Sequence, residues 1–229
     1  MTPPEIVRAA MLKGLAMIAV CDHNSAGNAA ATQEAAGGDI AVIAGIELTT
    51  VEEVHVLGLF ASAEAASAAA DEVRAVLPPA TDADRRFGEQ RLFSARGEII
   101  GLESKMLGAA TSFRLSESVG LIRRHDGLVV AAHINRPSFS VLSQLGMFPE
   151  DVRFDAIEVF PVLRGTACRT PTAETREPDW PRLPVLHSSD GHFLSDIGKC
   201  HTMLELAGPT FEELALALRG LQGRSVCDA

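Results

Sequence analysis

Apolar stretches without polar alternation recur along this chain, and several of them run directly into histidine or a carboxylate. Residues 15–20 end in Cys21-Asp22-His23-Asn24, 40–45 run into Ile46-Glu47, 127–132 into His133-Ile134-Asn135-Arg136, and 183–186 into His187-Ser188-Ser189-Asp190-Gly191-His192. A strand wet on one face alternates apolar and polar residues, whereas an unbroken apolar run of this length fits a strand buried on both faces, as in a parallel sheet covered by helices. Further strands are expected at 54–60 and 156–160, and at 201–206 ahead of a C-terminal helix capped at Thr210.

Helices fall between these runs. Thr2-Pro3-Pro4-Glu5 combines a capping hydroxyl, prolines in the first turn and a glutamate three residues after the threonine, and Gly14 supplies a left-handed stop. Residues 63–77, 115–125 and 138–145 are also expected to be helical. Strands alternating with helices make the fold α/β, and their number approaches a closed barrel. One domain of 229 residues accommodates it, so 1–229 is read as a single unit. The pattern weakens at 78–111, read as an insertion with a small hairpin turning at Arg96-Gly97, whose clustered Arg85, Arg86 and Arg91 read as surface. Residues 164–181, rich in Arg, Thr and Pro, read as a long surface loop.

Composition excludes several classes. With 47% hydrophobic and 22% charged residues the chain is neither disordered nor fibrous, and 20 basic against 30 acidic residues oppose bulk coating by nucleic acid. No uninterrupted apolar run reaches the roughly 18 residues that cross a bilayer, and the opening residues show no basic segment followed by an apolar one, so no membrane partner and a cytoplasmic location are expected. Four cysteines without CxxC form neither a zinc ribbon nor a disulfide framework and are read as idle thiols.

In a β/α barrel the residues just beyond the strands converge on one face. His23, Glu47, His55, His133, Asp190 and His192 hold such positions, and imidazole nitrogen with carboxylate oxygen suits borderline divalent ions without any thiolate. A single histidine after an apolar run is ordinarily a hydrogen-bonded structural residue. The coincidence of His23, His133 and His192 behind buried strands, where an unpaired polar group is costly, points to shared ligation. The two-residue spacing of Asp190 and His192 lets one segment serve one site or two adjacent ones. His125 at a helix end, His201 beside Lys199 and His187 within its strand are left out. Ser188 and Ser189 lie in no GxSxG, and Gly37-Gly38 in no GxGxxG, so neither a serine hydrolase nor a nucleotide cofactor is indicated.

Taken in order, Cys21-Asp22-His23-Asn24, Gly45-Ile46-Glu47, Val54-His55-Val56-Leu57-Gly58, Ala132-His133-Ile134-Asn135-Arg136-Pro137 and Ser189-Asp190-Gly191-His192 resemble the motifs of the PHP superfamily, named for polymerase and histidinol phosphatase members. The resemblance spans almost the whole chain. It implies a distorted (β/α)7 TIM-like barrel holding up to three divalent ions, Zn, Mn or Fe, that hydrolyse phosphoesters with an activated water and no side-chain nucleophile. Members of the family open with a strand ending in His-x-His, whereas this sequence starts at the following helix. The resemblance therefore implies a barrel N-terminally truncated by one strand, for which an upstream start is the favoured explanation. It also implies that Glu47, His55 and His133 form one complete ligand set, with Glu47 bridging to a neighbouring site. A second site keeps Glu47 and Asp190, a third keeps His23 and His192, and each lacks its remaining ligands. Asp22 stands behind the ligands, and Arg136 is placed to contact a substrate phosphate or, equally, to form a structural ion pair.

The expected activity is that of a metal-dependent phosphoesterase acting on a small phosphorylated metabolite, a nucleotide or a short oligonucleotide. The alternative is a truncated, catalytically weak or non-catalytic metal-binding barrel with a regulatory or partner-binding role. An amidohydrolase-like barrel ranks below both, because its usual bridge is a carboxylated lysine and here the bridge is Glu47. Open strand edges are expected to leave the chain marginally stable or self-associating.

Overall fold

Thr2 caps the first helix of this computed structural model, which describes residues 1–82, 88–160, 162–164, 167–169 and 180–227. The Thr2 backbone N–H and hydroxyl both donate to Glu5 Oε2 at 2.8 Å, and proline opens α1 (Pro3–Leu12), where its missing N–H has no partner to lose. After β1 (Met17–Val20) comes α2 (Ala29–Ala36), a helix not expected from the pattern because its buried residues are Ala29, Thr32 and Ala36 rather than large apolar ones. Next are β2 (Ala41–Thr49), β3 (His55–Phe60) and α3 (Ala63–Val76), whose cap Ser62 accepts from the Ala65 N–H at 3.2 Å. The 78–111 segment contributes an antiparallel hairpin of β4 (Arg91–Phe93) and β5 (Ile99–Leu102), with Gly97 at φ +81° in its turn.

The second half runs α4 (Leu115–Arg124), β6 (Leu128–Ala131), α5 (Val141–Leu145), β7 (Ala156–Val159), β8 (Val162–Arg164), β9 (Ala167–Arg169), β10 (Val185–His187), β11 (Leu204–Glu205), α6 (Phe211–Arg219) and β12 (Ser225–Val226). The expected loop 164–181 is not all loop, since β8 and β9 form an antiparallel pair; most of its remainder, with Arg85 and Arg86, lies outside the described residues. Among those residues no helix is long and apolar enough to cross a membrane. Cys21 and Cys227 are free, but Cys200 is disulfide-bonded, which corrects the reading of four idle thiols.

Six strands form one sheet in the order β1-β2-β3-β6-β7-β10. Three of its pairings are parallel, while β3 runs antiparallel to both neighbours. The expected parallel sheet is interrupted there because β2 continues to Thr49 and the chain reverses at once. Glu53 takes φ +60° and donates its N–H to Thr50 O at 2.9 Å, leaving no span for the crossover helix that a parallel return needs. The 201–206 segment does not join this sheet; β11 pairs with β12 instead. The sheet curls into a half-barrel: His23 beyond edge strand β1 and His192 beyond edge strand β10 bring their ring centroids to 5.9 Å.

Period-two alternation sorts the side chains. Met17, Ile43, Leu59, Leu128, Val130 and Ala156 share the concave face, where Leu214 and Leu218 of α6 pack on them. Further along the same alternation stand Cys21, Glu47 and Glu158, so the concave face passes from an apolar floor to a polar rim. On the opposite face α3 and α4 lay Ala66, Ala69, Val73, Val119 and Ile122 against Ile46, Leu48, Val56 and Phe60. Each fully buried large side chain contributes about 1.5–3 kcal/mol, which is what holds the rim residues in fixed register.

Candidate metal centre

β1 and β2 are parallel and in register, and the pairing continues past β1 so that His23 stands beside Glu47. Gly45 makes this approach possible, because a Cβ there would collide with Cys21 Sγ and reach within 3.0 Å of Gly58 O. The turn after β1 is pinned on several sides. The Glu47 N–H donates to Asp22 O at 3.0 Å and the Asn24 N–H to Glu47 O at 2.7 Å. Asn24, at φ +49°, donates its side-chain amide to Leu107 O and Ala109 O and accepts from the Thr49 N–H.

Glu47 is the hub of the rim. One of its oxygens lies 2.9 Å from His23 Nδ1, and the other lies 3.3 Å from His55 Nδ1 and 3.5 Å from His133 Nε2. His55 Nδ1 and His133 Nε2 face each other at 3.2 Å, and His133 Nδ1 is buried without a partner. A single proton between two imidazoles satisfies only one such pair of nitrogens. A cation facing His23 Nδ1, His55 Nδ1, His133 Nε2 and the Glu47 oxygens would accept their lone pairs in place of a shared proton, and these donor types suit a divalent ion; His133 Nδ1 is not among them. His23, Glu47 and His55 alone offer three donor atoms all within 4.8 Å of one another.

The electrostatics agree with the geometry. Burial alone would raise the Glu47 carboxyl, yet hydrogen bonds from His133, His23 and His55 hold it well below the usual carboxylate range, so it is anionic as a ligand must be. The hydrogen bond to Glu47 raises His23 against its partial burial.

Supporting residues fix the members of the cluster. Phe139 stacks on the His55 ring at 4.8 Å and its carbonyl accepts the His55 N–H at 2.9 Å. Glu158, which the sequence reading passed over, is buried, takes the His133 N–H on Oε2 at 3.1 Å and accepts the Ser188 hydroxyl on Oε1. Burial raises its carboxyl despite the Ser188 hydrogen bond. The available signal was a lone acid inside the apolar strand 156–160, opposite Leu186 in the parallel pairing. Burial likewise raises Asp22, which accepts from Asn28 Nδ2 at 3.2 Å.

His23, Glu47, His55 and His133 thus meet around one carboxylate, and His192 stands beside His23. Asp190 lies beside the cluster without touching Glu47: its Oδ2 accepts from Arg136 Nη1 at 2.7 Å, its Oδ1 is 3.8 Å from His192 Nδ1, and its charge adds to the upward shift of His23. His187, inside β10 as expected, pairs in register with Val159, and both of its ring nitrogens are buried without partners. His125 binds Glu72 at 2.7 Å at the end of α4, remote in role from the cluster.

Comparison with known proteins follows the same lines. Residues 182–222 match the family described as PHP-associated. No curated protein matches the chain. Among solved structures, the lesion-specific endonuclease PfuEndoQ from Pyrococcus furiosus superposes with a TM-score of 0.66 at 19% identity, over 99% of this chain and 53% of that one. Endonuclease Q in complex with a 27-mer duplex carrying an abasic lesion gives 0.67 at 19% identity with the same coverage. A protein from Bifidobacterium adolescentis assigned as a metal-dependent phosphoesterase gives 0.52 at 19% identity, over 93% of this chain and 86% of that one. The chain spans about half the length of the endonuclease structures. Residues 182–222 thus match a PHP-associated segment, and the chain shares its fold with endonuclease Q and the assigned phosphoesterase.

Proposed function

We propose that this chain is a metal-dependent phosphoesterase whose ion is held by His23, Glu47, His55 and His133, with His192 and Asp190 at the mouth of the site. The observation that carries the reading is the convergence of His23 Nδ1, His55 Nδ1 and His133 Nε2 on the two oxygens of Glu47. A divalent ion such as Zn, Mn or Fe supplies Lewis acidity toward a phosphoryl oxygen and a water made acidic enough to attack near neutral pH. The protein's own part is orientation. Glu158 holds the His133 backbone, Phe139 holds the His55 ring, Asp22 backs the turn that carries His23, and Arg136 offers planar N–H donors to a phosphate. None of these side chains need act as a nucleophile.

Two substrate classes follow. The acidic balance of 30 against 20 favours small phosphorylated molecules. The fold match to endonuclease Q across 99% of the chain favours a second reading, a phosphodiester in nucleic acid, which extends the short oligonucleotide among the expected substrates to a longer one. The same proposal reads the sheet as a (β/α)7 barrel short of one strand, which would lie between edges β1 and β10 and whose absence would favour self-association there. A cytoplasmic setting belongs to it as well, and requires the Cys200 disulfide to persist in a reducing compartment.

The test is product release by purified protein with Mn²⁺ or Zn²⁺, against a chelated control, from p-nitrophenyl phosphate, bis(p-nitrophenyl) phosphate and a duplex containing an abasic site. Turnover lost on chelation and in Glu47→Gln is the expected result, and the preferred compound separates the two substrate classes. Metal binding without turnover of any of the three, with or without a supplied His-x-His strand, would replace the enzyme reading by the non-catalytic barrel.

A further inference from the structure

Asp190 is an acidic residue of the rim whose carboxylate pairs with Arg136 and not with the imidazoles around Glu47, standing 3.8 Å from His192 Nδ1. Its carboxylate accepts from Arg136 Nη1 at 2.7 Å, with the two side chains only 16% and 34% exposed. Arg136 is fixed from two further directions. Its backbone N–H donates to His133 O at 2.9 Å, which ties its main chain to a member of the cluster, and the guanidinium Cζ lies 4.6 Å from the centre of the Phe160 ring. Asp190 holds a left-handed backbone at φ +42°, and its carbonyl lies 3.0 Å from His192 Nδ1. A built-in cation thus already faces the second carboxylate of the site. A metal ion on that carboxylate would stand against the guanidinium, in a half-buried setting where like charges are poorly screened.

We propose that Arg136 is the second cation of this site: the chain binds one divalent ion, at His23, Glu47, His55 and His133, and Arg136, with Asp190 as its counter-ion, supplies the further positive charge that an anionic substrate meets. The metal half of this statement rests on the phosphoesterase reading; the Arg136–Asp190 half does not. A guanidinium carries five N–H donors, and among the described residues its one hydrogen bond, to Asp190, engages Nη1, which leaves the other N–H groups to meet two oxygens of a phosphate. Asp190 then acts by positioning Arg136 and is not a metal ligand.

Metal-stripped protein is titrated with Mn²⁺ or Zn²⁺ by calorimetry, and bound metal is counted by mass spectrometry after desalting. The expected result is one ion per chain in the wild type, one in Asp190→Asn and none in Glu47→Gln. Binding of inorganic phosphate to the metal-loaded protein is expected to weaken about ten-fold or more in Arg136→Ala and to recover in part in Arg136→Lys. Two or more ions in the wild type, an ion that Asp190→Asn releases, or phosphate binding indifferent to Arg136→Ala overturns the proposal while leaving the Glu47 site standing. No ion in the wild type, or one indifferent to Glu47→Gln, overturns both readings. Circular dichroism establishes that each variant is folded, and where Asp190→Asn is not, the wild-type count decides by itself.

Discussion

His55 Nδ1 and His133 Nε2 lie 3.2 Å apart although 78 positions separate them in the chain. They meet because β3 and β6 are antiparallel neighbours, with Val56 opposite Ala131, so the start of one strand and the end of the other share the rim. Between them stands Glu47 from a third strand. Bringing two imidazoles and a carboxylate this close inside a protein costs desolvation that only a proton or a cation offsets.

Metal addition is expected to stabilise the fold. An ion that binds only the folded chain contributes about 2.7 kcal/mol at a hundred times its dissociation constant, and about 2–4 °C of melting temperature accompanies each kcal/mol in a chain of this size. Thermal melts with Zn²⁺ or Mn²⁺ against a chelator should therefore differ by roughly 5–10 °C in the wild type. The difference should vanish in Glu47→Gln and His55→Ala; a shift that survives both places the ion elsewhere.

Glu158 is expected to act through His133. Replacing it by alanine removes the acceptor for the His133 N–H and for the Ser188 hydroxyl. Metal affinity should fall by about 10–100-fold, as is usual for the residues that orient a ligand, while Glu158→Gln keeps much of it. Calorimetric titration of the two variants measures this, and equal affinities in wild type and Glu158→Ala would remove the role.

Gly45 is expected to tolerate no side chain. Alanine would overlap Cys21 Sγ and press on Gly58 O, forcing β1 away from β2 just before His23. The cost is that of overpacking a tight core, about 1–3 kcal/mol, read from denaturant unfolding. Metal affinity should fall with it, since His23 rides on the displaced strand.

The acid limb of stability should carry a contribution from His187. Burial lowers its pKa, with no partner to offset the effect. As pH falls below about 6.5 the unfolded chain takes up this proton before the folded chain does, so stability is full above that value and declines toward the lower folded pKa. Unfolding free energy measured in the metal-free protein should drop over this window in the wild type and drop less in His187→Phe.

Much of this was legible because of chemistry local in sequence. The caps at Thr2 and Thr210, and the unbroken apolar runs, announce their elements within a few residues. The ligand types His23, Glu47, His55 and His133 stood out because each ends or starts such a run. Glu158 did not, since a lone acid within an apolar strand marks a buried carboxylate without saying which backbone N–H or hydroxyl it meets. The antiparallel β3 was missed for a similar reason: the reversal depends on how far β2 extends before the turn at Glu53, and apolar content does not encode that length.

The order of residues by itself determined most of the sheet strands and capped helices, though not α2 or the β8–β9 pair, and which polar side chains stand at their ends, because hydrogen-bond satisfaction and apolar burial act over one turn or one pleat. Only the tertiary structure decided which of those polar groups share an atom. Strand order and curl set distances between residues more than fifty positions apart, and so joined His55 and His133 through Glu47 while turning Asp190 toward Arg136.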